Sequence, residues 1–200
     1  MVRELKQMSG WGFGALFVAA VLATSGAHAA APDVVGGELL GATGVNVGGA
    51  VYDVHFVEGS CIDVYDGCDD VSDFPFTILA DATLAAQALL DQVLRDTASG
   101  DFDTFPAEVF GCANPAVCGA QVPFALPDAT NVTITSAVNS SAEESDSVAE
   151  IVWERAEDFG AGSLHEFATW VVWTPVPPAT PNVVLGELKG AFNVDVGGTL

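Results

Sequence analysis

Positive charge is almost missing from this sequence. Five Lys and Arg stand against 27 Asp and Glu, for a formal net charge of −22. That shortage argues against nucleic acid and anionic membrane surfaces as partners, because a strongly negative chain is repelled by both. Catalytic motifs are equally short. "HEFAT" at His165 begins like a zinc-protease motif but carries Thr169 where the second histidine would stand. Ser60, in "EGSC", lacks the G-x-S-x-G elbow of a serine nucleophile. "GATGVNVGG" is rich in glycine but lies between two strand-like runs and opens no helix, so it is not a dinucleotide fingerprint. His55 has Asp53 two residues before it, on the same side of a strand, and this pairing could orient an imidazole but brings no nucleophile. The chemistry therefore points away from an enzyme, and no cofactor is expected.

Long apolar runs are confined to the start. Arg3 and Lys6 precede an uncharged run of 13 residues, Trp11–Ala23, and Ala27-His28-Ala29 supplies a small-x-small cleavage pattern. This is the arrangement of a secretory signal peptide over residues 1–29, and the run is too short for the ~20 residues of a membrane anchor. Removing it takes away Arg3, Lys6 and Glu4, leaving three Lys/Arg against 26 Asp/Glu, a net charge of −23. The acids are scattered, which suits solubility or salty surroundings better than a dedicated cation site.

Cysteine is sparse but even in number: Cys61 and Cys68 form one close pair, Cys112 and Cys118 another. In an exported chain disulfides are the default, with local pairing favoured among the three connectivities. The gaps are wider than the C-x2-4-C spacing that zinc prefers.

Residues 39–57 read as a β-hairpin turning at Gly48-Gly49, with Tyr52, Val54 and Phe56 on its inner face and Asp53 and His55 outside. An acidic loop follows, Gly59 to Phe74, carrying Asp63, Asp66, Asp69, Asp70 and Asp73. These five are the candidate ligands for calcium, although their spacing is not that of an EF-hand; a solvated loop clamped by a disulfide is the preferred reading. Residues 81–96 predict the main helix, capped by Asp81, with Ala82, Ala86, Leu89, Leu90 and Val93 on one stripe and Asp91 paired with Arg95 outside. A short strand within 117–126 is limited by Pro123, and residues 131–138, 147–154 and 167–174 predict three further strands. Trp153, Trp170 and Trp173 fall on the last two of these, and an exposed Trp could stack on a sugar. Core filling is the preferred role, but Trp170 and Trp173 have opposite strand parity, so one is expected outside unless a bulge intervenes. The fold class is α+β, a mainly antiparallel sheet beginning with a hairpin and carrying one amphipathic helix on a face.

The chain repeats itself. "PNVVLGELKGAFNVDVGGTL", from Pro181, matches "PDVVGGELLGATGVNVGGAV", from Pro32, at 12 of 20 positions with an offset of 149 residues. Such a period is one ordinary domain. The expected organisation is therefore a module over 30–174, a stiff Pro-rich linker over 175–181, and the opening of a second, truncated copy over 182–200.

"GELLGATGVNVGGAVYDVHFVEGSC", "AAQALLDQVL" and "ATWVVWTP" together resemble a module of exported bacterial proteins of the PEP-CTERM, exosortase-sorted kind, over most of residues 34–175. The resemblance implies a cell-surface or extracellular-matrix setting linked with exopolysaccharide and biofilm, and it supplies no catalytic residue. The family's sorting tail, Pro-Glu-Pro followed by an apolar span and a basic end, would lie beyond Leu200. The expected partners are extracellular polysaccharide and neighbouring copies of the module. A carbohydrate- or calcium-binding module stands as the second reading.

Overall fold

The computed structural model describes residues 29–142 and 145–178, and the backbone of 180–184 and 187–192. The leader read at residues 1–29 lies almost wholly outside these. In chain order the strands are β1 (Ala31–Val35), β2 (Glu38–Val47), β3 (Ala50–Val57), β4 (Gly59–Ser60), β5 (Asp96–Thr97), β6 (Gly100–Asp101), β7 (Val117–Ala125), β8 (Asn131–Ser140), β9 (Ser147–Glu154), β10 (Asp158–Phe159), β11 (Ala168–Pro175), β12 (Thr180–Val184) and β13 (Glu187–Phe192). The helices are the single turn α1 (Cys61–Val64) and the main helix α2 (Leu79–Gln92).

The fold is α+β, as the sequence predicts. Seven strands form one sheet in the order β1-β2-β3-β11-β7-β8-β9. Every neighbouring pair is antiparallel except β11 with β7. The hairpin at Gly48-Gly49 is as read: both glycines have positive φ, 59° and 98°, which a two-residue turn matching the strand twist requires. One strand more precedes it, since β1 folds back on β2. At Gly41 the chains come so close that an added Cβ would lie 2.1 Å from the Val54 carbonyl oxygen, so only glycine can occupy this rung.

β7 is longer than its proline suggests. Pro123 has no N–H to give, yet β7 pairs with β11 only over Gly119–Gln121, so the missing donor falls beyond that ladder. On the β8 side the register shifts between Pro123 and Ala125.

α2 begins two residues earlier than the pattern predicts and ends four earlier. Ile78 is its N-cap and makes no side-chain cap bond; Asp81 instead sits in the first turn, where a negative charge meets the positive end of the helix dipole. Ala82, Ala86, Leu89 and Val93 are buried, as the stripe requires. Asp91 and Arg95 do not form the expected ion pair: Arg95 Nη1 donates to the Asp91 carbonyl and Gln87 Nε2 donates to the Asp91 carboxylate. The helix end is fixed by an amide pair, Gln92 Nε2 donating to the Asn46 carbonyl at 2.8 Å and Asn46 N–H donating to Gln92 Oε1 at 2.9 Å.

Each face of the sheet has its own core. One packs α2 against Val45, Val54, Phe56, Ala120, Val122, Val171 and Trp173, and includes Cys112 and Cys118. The other gathers Tyr65, Phe74, Val132, Ile134, Phe159 and Trp170 around Cys61 and Cys68. Both disulfides are local, Cys61–Cys68 and Cys112–Cys118, so each face carries one bridge in its interior.

After β11 the irregular stretch is shorter than the linker predicted over 175–181, because Pro175 ends β11 and Thr180 opens β12. β12 and β13 form a separate two-stranded hairpin. Residues 193–200 of the second copy lie outside the described residues.

Candidate functional site

Three of the five aspartates of the acidic loop, Asp63, Asp70 and Asp73, hold its local structure through their carboxylates. Ser60 caps α1 by accepting the Asp63 N–H, and its hydroxyl donates to the Asp63 carboxylate at 2.5 Å. Asp70 caps a 3-10 turn at residues 71–73 by accepting the Ser72 N–H, while Asp73 accepts the N–H groups of Asp69 and Asp70. The Ser72 N–H, with its hydroxyl, holds the Asp70 carboxyl below its ordinary range. Asp66 occupies a left-handed backbone position at φ 41° beside the disulfide. Among the described residues no three His, Cys, Asp or Glu side chains converge on a point where a cation could sit. The loop is tied down by a residue that its own sequence does not announce: Arg155 Nη1 donates to the Cys68 carbonyl at 2.6 Å.

The three tryptophans form no ladder. Trp170 and Trp173 are on opposite faces, as their parity demands, yet both are buried, at 0% and 6% exposure. The expectation that one would be exposed is thus corrected: a second covering layer exists on the face away from α2, built by the Cys61–Cys68 loop. Trp170 donates its indole N–H to the Gly59 carbonyl at 2.9 Å and meets Tyr65 and Phe159 edge-on. The Tyr65 hydroxyl donates to the Val171 carbonyl, and burial pushes its pKa well up. Trp173 meets Tyr52 and Phe76 edge-on.

Trp153 lies at the margin of the core that holds Trp170, half-buried against Phe159 and His165. His165 also contacts Phe167, and its Nε2 lies 2.7 Å from Glu157 Oε1. Trp153 Nε1 and His165 Nδ1 are buried with no hydrogen-bond partner among the described residues. The Ser163 hydroxyl oxygen accepts the His165 backbone N–H. His55 remains exposed on β3, and Asp53, which could have oriented it, accepts the Gly44 N–H instead.

A polar groove of about 470 Å³ runs along the end of α2, lined by residues that include Gln87, Asp91, Arg95, Asp103 and Asp146. A smaller cleft of about 200 Å³ adjoins it at Arg95, Asp96, Asp103, Thr104 and Ser141. Asp96 is spent on local structure there. It accepts the Thr104 hydroxyl at 2.6 Å and the N–H groups of Asp103 and Thr104, and the Thr104 hydroxyl holds its pKa down.

Among the described residues no helix is long and apolar enough to cross a membrane. Comparison of the chain with family models, with curated proteins and with solved structures found no match.

Proposed function

We propose that this chain is an exported, acidic, disulfide-braced module of the bacterial cell surface or extracellular matrix, serving as a structural or interaction unit in an exopolysaccharide or biofilm setting rather than as an enzyme. The carrying observation is the placement of the disulfides. Each is buried in the core of one sheet face, and such bridges persist in oxidising compartments outside the cytosol. The signal-peptide pattern over residues 1–29 and the resemblance to exosortase-sorted modules support the same reading. A dense negative charge keeps such a module soluble and resists collapse onto other acidic polymers.

The test is export. Expressed with its leader in a Gram-negative host, the chain should appear outside the cytoplasm with a mature N-terminus within two residues of Ala30 and no free thiol. A protein retained in the cytoplasm with residues 1–29 intact would overturn the proposal.

A further inference from the structure

The large sheet ends on β9, and among the described residues β9 pairs with β8 alone. The ladder tells which of its backbone groups face the open side. Glu154 stands opposite Asn131, Trp153 opposite Val132, and so on to Ser147 opposite Val138. One step beyond, the Arg155 N–H donates to the Thr130 carbonyl, so residue 155 turns its backbone toward β8. In an antiparallel pair such residues alternate with others whose N–H and C=O point away. Trp153, Ile151 and Ala149 therefore face β8, while Val148, Glu150 and Val152 present both groups to the open edge. Among the described residues no turn or loop bond takes these up, whereas the Glu154 carbonyl accepts the Glu157 N–H.

The side chains of the same residues choose the occupant. Val148 packs on the α2-side core, while Ile151 and Trp153 pack on the other. By alternation Glu150, Val152 and Glu154 stand on the α2 side with Val148. Val152 is 54% exposed, and both glutamates are exposed. Charges along a strand edge deter strands of like sign. A second copy of this chain, at net charge −22, is such a partner. A strand with a cation opposite each glutamate and an apolar residue opposite each valine meets no such barrier. At the start of β9 the seat runs on into the groove of about 470 Å³, whose walls include Asp146, Ser147, Leu90, Asp91 and Leu94.

We propose that β9 is a docking edge for an extended segment of another protein, one that alternates cationic and apolar residues along one face and adds antiparallel to β9 as an eighth strand. Main-chain bonds to Val148, Glu150 and Val152 attach it, Glu150 and Glu154 select its charge, and the groove takes the side chain that passes Asp146. The inference is read from the sheet edge and stands apart from where the protein resides.

The probe is the end-capped peptide Lys-Thr-Val-Thr-Lys-Thr-Val-Thr-Leu. Its lysines fall opposite Glu154 and Glu150, its valines opposite Val152 and Val148, and its leucine reaches the groove. Bound to the full chain, it should slow amide exchange at Val148, Glu150 and Val152, and added salt should weaken it. N-methyl groups on its first valine and second lysine, whose N–H groups face β9, should abolish binding. The same groups on its first two threonines should leave binding intact. Glu150→Lys combined with Glu154→Lys should weaken the peptide about tenfold or more, and should instead favour a peptide with glutamate in place of both lysines. The exchange and N-methyl measurements need only the parent chain, so they decide the matter even if the reversed variant fails to fold. Binding indifferent to the site of N-methylation would reduce the contact to charge attraction and overturn the proposal. So would unchanged exchange at Val148, Glu150 and Val152, a reversed variant that keeps its preference for lysine, or a parent chain that dimerises with those amides protected before any peptide is added.

Discussion

At the scale of residues, the carboxylates decide how the loops fold. Asp128 shows this best. Its oxygens accept the Asn131 side-chain amide, the Thr130 and Asn131 N–H groups and the Thr130 hydroxyl. The Asn131 amide contributes most, and together these donors lower the Asp128 pKa to about 2. A folded-state pKa depressed below the unfolded one gives stability that is present above the unfolded value and lost as pH falls through the folded one. The relevant window runs from about pH 4 down to about pH 2. Asp128→Asn should therefore melt below the parent at pH 6, and the gap should close as pH falls across that window. A gap of constant size, or an Asp128 carboxyl titrating near 4 by NMR, would sink the assignment. Such roles are only half legible in a sequence. "LPDATN" advertises a turn, but five aspartates between Gly59 and Phe74 look alike until the backbone shows which N–H groups each one meets.

At the scale of elements, alternation was an accurate guide to strands and a poor guide to ends. β9 spans the residues that the pattern predicts, because its apolar-polar period is set by the pleat alone. α2 ends at Gln92 because that side chain is bonded to Asn46 on β2, a partner 46 residues away that no local rule can see. The disulfides act at this scale too. Each closes a small loop and should contribute about 2–2.5 kcal/mol by restricting the unfolded chain. Replacing Cys61 and Cys68 by alanine should lower the unfolding free energy by at least that amount in urea, since both sulfurs are buried beside Trp170 and Tyr65. A double variant within about 0.5 kcal/mol of the parent would show that the bridge decorates the loop without bracing it.

At the scale of the whole molecule, charge and topology set the behaviour. A net charge near −22 in a chain of 200 residues makes the compact state repel itself. Added salt should therefore raise the melting temperature, most steeply below about 0.15 M, where the screening length falls toward 8 Å. Since no cluster of three ligating side chains is assembled among the described residues, calcium chloride should do no more than sodium chloride at matched ionic strength. A calcium-specific rise would point to a site made outside those residues or between copies.

What the sequence by itself determined lies in its short-range patterns: turn glycines at Gly48-Gly49, the period of each strand, an apolar helical stripe, cysteines paired over a few residues, and a second opening at a 149-residue offset. Each of these follows from backbone geometry within a few residues or from identity between two segments. Only the tertiary structure decided that β11 would slot between β3 and β7, parallel to the latter, and that both sheet faces would be covered. That choice buries Trp170 under the disulfide loop and Trp173 under α2. Strand order and coverage are long-range contacts, stabilised by area buried between segments far apart in the chain, and a local pattern fixes which way a side chain points without fixing what comes to cover it.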